Sequence, residues 1–215
     1  MARTAGALNK DHPIARDELA RRAAQALLTL GGRAPSLRAL ADAAEVDPGT
    51  LRHYFGDREG VVRAAFESLL VHGEEQSQRA LRLGERPARE ALRTLATSVV
   101  QAWSGLLGGM HATGLVEGMA HAPLGQVYVQ MILEPTLATV ERLLSIFSAR
   151  GELTVPDVRV AALGFMAPVM VACLHQHQLS GAACRPLELD AFVLAHVEGF
   201  LRGYARHPAP SGDPS

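Results

Sequence analysis

The sequence is poor in cysteine, aromatic residues and lysine. Cys173 and Cys184 are its two cysteines, so neither a disulfide framework nor a four-cysteine zinc site is possible. Aromatic residues make up 5% of the 215 residues, and Lys10 is the single lysine, so arginine carries almost all of the basic charge. These shortages exclude a disulfide-stabilised secreted domain and favour a protein of a reducing, cytoplasmic compartment.

Long apolar runs are also missing. No apolar run follows the positive charges of the first residues, so we expect no signal peptide. The longest apolar stretch, Ala161–Leu174, contains Gly164 and Pro168 and falls short of the ~20 residues that a bilayer requires. The sequence therefore predicts a soluble protein without a membrane partner.

The net charge of −1 argues against a generally basic nucleic-acid binder. The charge is nevertheless uneven, because residues 1–66 hold 10 basic against 8 acidic residues and residues 67–215 hold 11 against 14. Arginine suits phosphate and guanine contacts, since its planar fork donates two parallel hydrogen bonds. A compositional bias of the source genome explains most of these arginines equally well.

The secondary-structure signal is helical throughout. Alternating strand patterns are absent, whereas Ala, Leu, Arg and Glu dominate and apolar residues recur every three to four positions. We expect Ser36, Asp47 and Asp57 to cap helices, and Pro135 and Pro168 to kink or split them. The predicted fold is all-α with about nine helices, ending at breaks that include Gly31-Gly32, Gly108-Gly109, Pro123, Gly151 to Pro156 and Gly181 to Pro186.

A helix-turn-helix pattern occupies residues 36–55, SLRALADAAEVDPGTLRHYF. Leu40 and Ala41 belong to the inner face of its first helix, and Leu51 and Phe55 to that of its second. Such a pair requires a third helix to complete a core, and the periodic segment before it can supply one. The second helix then exposes polar and aromatic side chains that suit a major groove, where base edges are read.

Residues 14–66 resemble the DNA-binding domain of the tetracycline-repressor (TetR) family of bacterial transcription regulators. The matching pieces are LLTLGG, PSLRALADAAEVDPGTLRHYF and GDREGVVRAAF. Arg58-Glu59 fills the basic–acidic pair that opens the family's fourth helix, and Arg52 stands where the family usually has tyrosine. The positions that match the family's recognition helix are Gly49, Thr50, Leu51 and Phe55.

The resemblance implies a domain organisation. Residues 12–66 would form the DNA-binding domain, and residues 67–207 an effector-binding and dimerisation domain. The polar start 1–11 and the Pro/Gly/Ser-rich end 208–215 are expected to be disordered tails.

The candidate DNA contacts lie on the two helices of the pattern and at the start of the next one. By the resemblance, Arg58 binds a phosphate at a helix N-terminus, where the helix dipole adds to the attraction. Thr50 and His53 face outward and are expected to touch DNA, whereas a side chain at Gly49 would hold the helix away from it. The complete predicted set is Ser36, Arg38, Gly49, Thr50, Arg52, His53, Tyr54 and Arg58.

The resemblance also implies a cavity among the middle helices that binds a small-molecule effector. Methionines and aromatic residues adapt to irregular ligands, although they also fill ordinary cores. Glu117 and Glu134 lie in apolar neighbourhoods and could bond a polar ligand. The predicted lining consists of Trp103, Met110, Met119, Tyr128, Met131, Phe165, Met166 and Met170.

A metal site and an enzyme site both lack support in the sequence. His175 and His177 point about 200° apart on a helix and cannot chelate one ion together, although Cys173 and His177, four residues apart, could. A buried thiol is the commoner outcome, so no metal and no cofactor are expected. No nucleophile elbow, phosphate-binding glycine loop, HExxH or paired-carboxylate signal is present, so we do not expect an enzyme.

The function that the resemblance implies is a ligand-responsive transcriptional regulator, most often a repressor. It would bind a palindromic DNA operator as a homodimer through its last two helices, and a largely apolar small molecule would release it. Two alternatives stay open, an all-helical small-molecule-binding protein or enzyme without DNA binding, and a regulator that has lost its ligand. The exposed set on the recognition helix and Arg58 disfavour the first of these.

Overall fold

The computed structural model describes residues 11–30 and 34–205 of the chain. The first ten residues, the tail 208–215 and the predicted break at Gly31-Gly32 lie outside the described residues. The described part is helical, as predicted, and its α-helices are α1 Asp11–Leu30, α2 Leu37–Ala43, α3 Pro48–Phe55, α4 Arg58–Leu81, α5 Ala88–Ala102, α6 Gly108–Ala120, α7 Ala122–Tyr128, α8 Glu134–Ala149, α9 Val158–His177, α10 Gly181–Cys184 and α11 Leu189–Tyr204.

The helices pack into two compact units. Among the described residues, the first unit contains 11–71 together with Thr113–Tyr128, and the second contains His72–Ala112 and 129–205. The predicted DNA-binding segment 12–66 thus shares its unit with the later part of α6 and with α7. The residues expected to belong to a separate effector domain are therefore divided between the two units.

The helix ends of the first unit confirm the local sequence signals. Ser36 caps α2 by accepting a hydrogen bond from the backbone N–H of Ala39 at 3.1 Å. Asp47 caps α3 in the same way, and Pro48 occupies its first turn, where the missing N–H is not needed. Asp57 accepts from the N–H of Gly60 at 2.9 Å at the start of α4. Short polar caps therefore determine where α2, α3 and α4 begin.

Two π-helical turns interrupt the middle of the chain. Trp103–Leu107 joins α5 to α6, and Val129–Leu133 joins α7 to α8. Inside the first, Gly105 has φ −104° and ψ −138°, so the predicted break at Gly108-Gly109 is wrong: the irregular residue lies three positions earlier. Pro135 lies in the first turn of α8 and splits the predicted long helix there, as expected.

The core of the second unit is built from α5, α8, α9 and α11. Leu92, Leu143, Phe147, Phe165 and Val197 belong to one buried apolar cluster there. The 20-residue helix α9 is long and apolar enough to span a membrane by length and composition alone, but its inner face fills this cluster.

Pro168 lies inside α9 and does not split it, so of the two expected outcomes, a kink or a split, the split is wrong. The short helix α10, which follows it, was not predicted. Beyond the helices, an antiparallel bridge pairs Leu153 with Ala205, and the N–H of Thr154 donates to the carbonyl of Tyr204 at 2.9 Å. This bridge fixes the end of α11 to the loop after α8.

Candidate DNA-reading and effector sites

The reading head is a three-helix arrangement that α1, α2 and α3 build around small and branched apolar residues. Ala23 and Leu27 of α1, Leu40 and Ala41 of α2, and Leu51 of α3 are all buried. The turn between α2 and α3 contains Glu45 in the left-handed region, with φ 55°. Leu51 thus anchors the inner face of α3, which leaves its opposite face to solvent.

The solvent face of α3 carries the predicted base-reading residues. Arg52 and His53 are exposed, and Thr50 and Tyr54 are half-buried. The rings of His53 and Tyr54 meet edge to face, with their centroids 5.1 Å apart. A face of this size, with donors and an aromatic ring, has the chemistry and the helix geometry for a major groove.

Further predicted contacts lie at the starts of α2 and α3. Ser36 and Arg38 are exposed in and before the first turn of α2. Gly49 is exposed in the first turn of α3, and an added Cβ there would lie 2.7 Å from the Asp47 carboxylate oxygen that caps the helix. A larger residue at this position would therefore require the capping carboxylate of Asp47 to shift.

Arg58 does not lie free at the surface. Its Nη2 donates to Oε1 of Glu117 at 2.5 Å, and its Nε donates to the carbonyl oxygen of Pro35 at 2.5 Å. The Arg58 side chain is 29% exposed, whereas that of Glu117 is 1% exposed. One guanidinium thus links the first turn of α4, the residue before the α2 cap and the buried side of α6.

A phosphate contact would compete with this ion pair. Removing the partner of a buried carboxylate costs about 3–5 kcal/mol. A charge-assisted hydrogen bond of the kind that a phosphate offers contributes about 1.5–3 kcal/mol. A phosphate contact that displaced Arg58 from Glu117 would therefore cost more than it returns.

Two buried acceptors on α6 have no hydrogen-bond partner among the described residues. They are Oε2 of Glu117 and Oγ1 of Thr113, one turn earlier on the same face of α6. Buried polar groups are almost always hydrogen-bonded, so two orphans on one helix face require a physical reason. The sequence pointed to Glu117 but not to Thr113, whose only sequence signal is its i, i+4 spacing from Glu117.

The predicted effector-lining residues are divided. Trp103, Phe165 and Met166 are buried in the core cluster of the second unit, and Met170 packs against it. Tyr128 belongs to the first unit, where its ring lies 6.3 Å from that of Phe66. Burial raises the pKa of Tyr128, so its phenol stays protonated at neutral pH.

The remaining predicted lining residues are more exposed. Met110 and Met131 are half-buried, and Met119 is 80% exposed at the end of α6. Met119 therefore lines no enclosed pocket in this structure. A surface depression of about 360 Å³ in the second unit is lined by Thr154, Pro156, Gly203, Tyr204 and Ala205, none of which was predicted.

Trp103 stands at the centre of a polar–aromatic contact that the sequence did not predict. Its indole Nε1 donates to Oε1 of Gln178 at 2.7 Å. The ring of His111 stacks on it, with an interplanar angle of 4° and centroids 5.2 Å apart. Burial lowers the pKa of His111 to about 4, so this imidazole is neutral at physiological pH.

Cys173 and His177, the pair that could chelate a metal ion by their spacing, lie in an environment that does not favour metal binding. Cys173 is buried and His177 is exposed, and burial raises the pKa of the Cys173 thiol to about 11. A metal ligand must be a thiolate, which this environment disfavours. Within the described residues, no group of three or more His, Cys, Asp or Glu side chains is placed to hold a metal ion.

A three-helix reading head on an all-helical body defines a class of DNA-binding regulator. Residues 90–206, more than half of the chain, match the family model described as AefR-like transcriptional repressor, C-terminal domain. The chain belongs to the TetR family of transcriptional regulators. No curated protein matches it.

Solved structures of other regulators share this fold at low sequence identity. The Bacillus subtilis regulator FadR, solved in complex with stearoyl-CoA, has a TM-score of 0.64 at 19% identity, over 86% of this chain and 97% of that one. SmeT, the repressor of the Stenotrophomonas maltophilia multidrug efflux pump SmeDEF, has a TM-score of 0.60 at 18% identity, over 96% of this chain and 98% of that one. Salmonella enterica GusR has a TM-score of 0.61 at 19% identity, over 91% of this chain and 98% of that one.

Proposed function

We propose that this regulator is a cytoplasmic repressor, not an enzyme, that binds a palindromic operator as a homodimer and is released by a small-molecule effector. The observation that carries the proposal is the recognition helix α3. Its N-terminus is capped by Asp47, its inner face is anchored by the buried Leu51, and its outer face presents Arg52 and His53 to solvent.

The proposed contacts divide by role. Thr50, His53 and Tyr54 read base edges, because they lie on or beside the solvent face of α3. Ser36, Arg38 and Arg52 bind phosphates, and Gly49 lets the helix approach. These residues constitute the proposed operator-binding surface.

Arg58 has a different proposed role from the phosphate contact that the family resemblance implies. Because its pair with the buried Glu117 is stronger than one phosphate contact, Arg58 stays on Glu117 and positions the head.

Dimerisation is proposed through the outer faces of α9 and α11. Val160, Leu163 and Val171 of α9 are each more than half exposed, and Leu194 of α11 is 44% exposed. An apolar stripe of this length is expected to be covered by a partner. A symmetric pairing of the two helices gives the four-helix interface implied by the family resemblance.

The effector proposal is supported by the family and by the middle of the chain. π-Helical turns are frequent at functional sites, and two flank the segment from α6 to α7. The FadR regulator was solved in complex with stearoyl-CoA, whose long acyl chain is apolar, and this supports an effector with an apolar part. A ligand releases the operator only if it binds the non-binding state more tightly.

The decisive experiment is selection of binding sites from fragments of the source genome with the full-length protein. We expect enrichment of a palindrome with half-sites about one helical turn apart, and loss of this enrichment in a variant with both Thr50 and His53 replaced by alanine. Equal binding to unrelated duplexes would contradict the proposal.

A further inference from the structure

We propose that Glu117 is an exchange site for a cationic effector, in which a primary ammonium group on an otherwise apolar molecule replaces the guanidinium of Arg58. The binding site follows from the contacts of Glu117 and Thr113. Its consequence for operator release rests on the function proposed above.

The oxygens around Glu117 match the donors of an ammonium group. Oε1 of Glu117 accepts from Arg58, while Oε2 of Glu117 and Oγ1 of Thr113 are buried and have no partner within the part of the chain that the structure describes. These are three acceptors on one face of α6, and Arg58 uses one of them. A primary ammonium carries three N–H donors and can serve all three oxygens, which a fixed planar guanidinium at this position does not.

Arg58 occupies the way into this site. The Glu117 side chain is 1% exposed and that of its partner Arg58 is 29% exposed, so solvent reaches Arg58 but hardly reaches the carboxylate. When Arg58 turns outward, the space that it leaves is beside Glu117 and open to solvent. The incoming group therefore needs no void other than the one that Arg58 vacates.

The occupant must be a cation. A neutral hydroxyl would leave the buried carboxylate without a counter-charge once Arg58 has left, and a carboxylate or phosphate would be repelled by Glu117. The charge of the buried Glu117 therefore selects an amine over an alcohol or an acid.

Displacement of Arg58 would alter the contacts that hold the reading head in place. The same guanidinium donates to the carbonyl of Pro35, directly before the Ser36 cap of α2. Losing Glu117 removes the anchor that holds this link to α6. We therefore expect the head to lose its fixed position and the operator affinity to fall.

The binding test uses n-butylammonium as the probe, with 1-butanol, butyrate and tetramethylammonium at equal ionic strength as matched controls. The full-length protein carries ¹³C-labelled threonine methyl groups, and the Thr113 signal is assigned from its loss in Thr113→Val. We expect saturable shifts of this signal, and a rise in Tm, with n-butylammonium alone. Equal effects of tetramethylammonium or 1-butanol, or no shift with any probe, would overturn the site.

Variants separate exchange at Glu117 from general cation binding. Glu117→Gln should abolish n-butylammonium binding, and Thr113→Val should weaken it about two- to tenfold, as expected for one lost hydrogen bond. Arg58→Met should tighten it about tenfold or more, because the competitor is gone. Arg63→Met, which breaks an exposed pair with Glu59, is the control and should change nothing.

An unchanged affinity for n-butylammonium in Arg58→Met would show that no exchange occurs. If that variant does not fold, an undiminished affinity in Glu117→Gln refutes the site by itself.

Operator binding measured in the presence of n-butylammonium distinguishes a failure of this inference from a failure of the proposed function. n-Butylammonium should weaken operator binding by the wild-type protein more than tetramethylammonium does, and should have no extra effect in Arg58→Met. Operator binding that is normal but insensitive to n-butylammonium would refute the inference alone. Cation binding without any operator binding would refute the proposed function alone.

Discussion

The guanidinium of Arg58 and the carboxylate of Glu117 form an ion pair across 59 positions of the chain, with Nη2 and Oε1 2.5 Å apart. The pair joins the first residue of α4 to the most buried charged side chain of α6. Because Arg58 also donates to Pro35, a single side chain ties the start of the DNA-reading helices to a helix outside the helix-turn-helix.

The salt dependence of operator binding distinguishes positioning from phosphate contact. We expect Arg58→Met to weaken operator binding with an unchanged slope of log K against log salt, because a positioning residue neutralises no phosphate. A slope shallower by about 0.9 would instead indicate a direct contact. Arg38→Ala is the matched variant, in which we do expect the shallower slope.

The unpaired hydroxyl of Thr113 should reduce stability. Thr113→Val replaces a buried orphan with a methyl group and should stabilise the protein by about 1 kcal/mol in urea unfolding. Thr139→Val is the control of the same chemistry, but its hydroxyl donates to the Pro135 carbonyl at 2.9 Å. That variant should be destabilised by about 1 kcal/mol. Destabilisation of both variants to the same extent would mean that Thr113 has a partner.

Acid should lower the stability of the folded protein through protonation of His111. Burial lowers its pKa to about 4 in the folded state, while the unfolded chain keeps about 6.5, so the unfolded state binds more protons between these values. Its contribution is therefore fully present above pH 6.5 and is lost as the pH falls toward 4. The expected loss is about 3 kcal/mol, and it should be absent in His111→Phe. Urea unfolding at several pH values measures it, and identical profiles for the two proteins would disprove the assignment.

Dimer formation should depend on the outer face of α11. Leu194 is 44% exposed and Val197 is 2% exposed, so the two positions separate the interface from the chain's own core. Leu194→Glu should give a folded monomer with weak operator binding, whereas Val197→Glu should unfold the protein. Leu106→Glu, at a position of equal exposure, should remain dimeric. Sedimentation and circular dichroism test both points, and a dimeric Leu194→Glu would place the interface elsewhere.

Operator preference should depend on the outer face of α3. His53→Ala or Thr50→Ala should change the rank order of operator variants, since each lost base contact is worth about 1–3 kcal/mol. His177→Ala removes an exposed histidine from α9 and should leave that order intact. Competition binding with a panel of single-base operator variants measures it, and an unaltered order in His53→Ala and Thr50→Ala would remove α3 from base reading.

What the sequence predicted well is what short-range chemistry determines. Ser36, Asp47 and Asp57 were predicted to cap helices because a cap acts on backbone groups two or three residues away. Pro168 was expected to kink or split α9, but the helix is not split, because packing of both of its halves against the core outweighs the lost hydrogen bond. The partner of Arg58 lies far along the chain, so no local pattern could reveal it.

The stack of His111 on Trp103 provides an optical reporter inside the protein. Trp103 is the single tryptophan, it is 1% exposed, and its N–H is bound to Gln178. Its emission spectrum therefore comes from one indole in one environment, and it needs no label and no deconvolution. A molecule that enters the second unit and displaces Gln178 or His111 would change the colour and intensity of that emission. The arrival of an effector could thus be followed in real time with the unmodified chain.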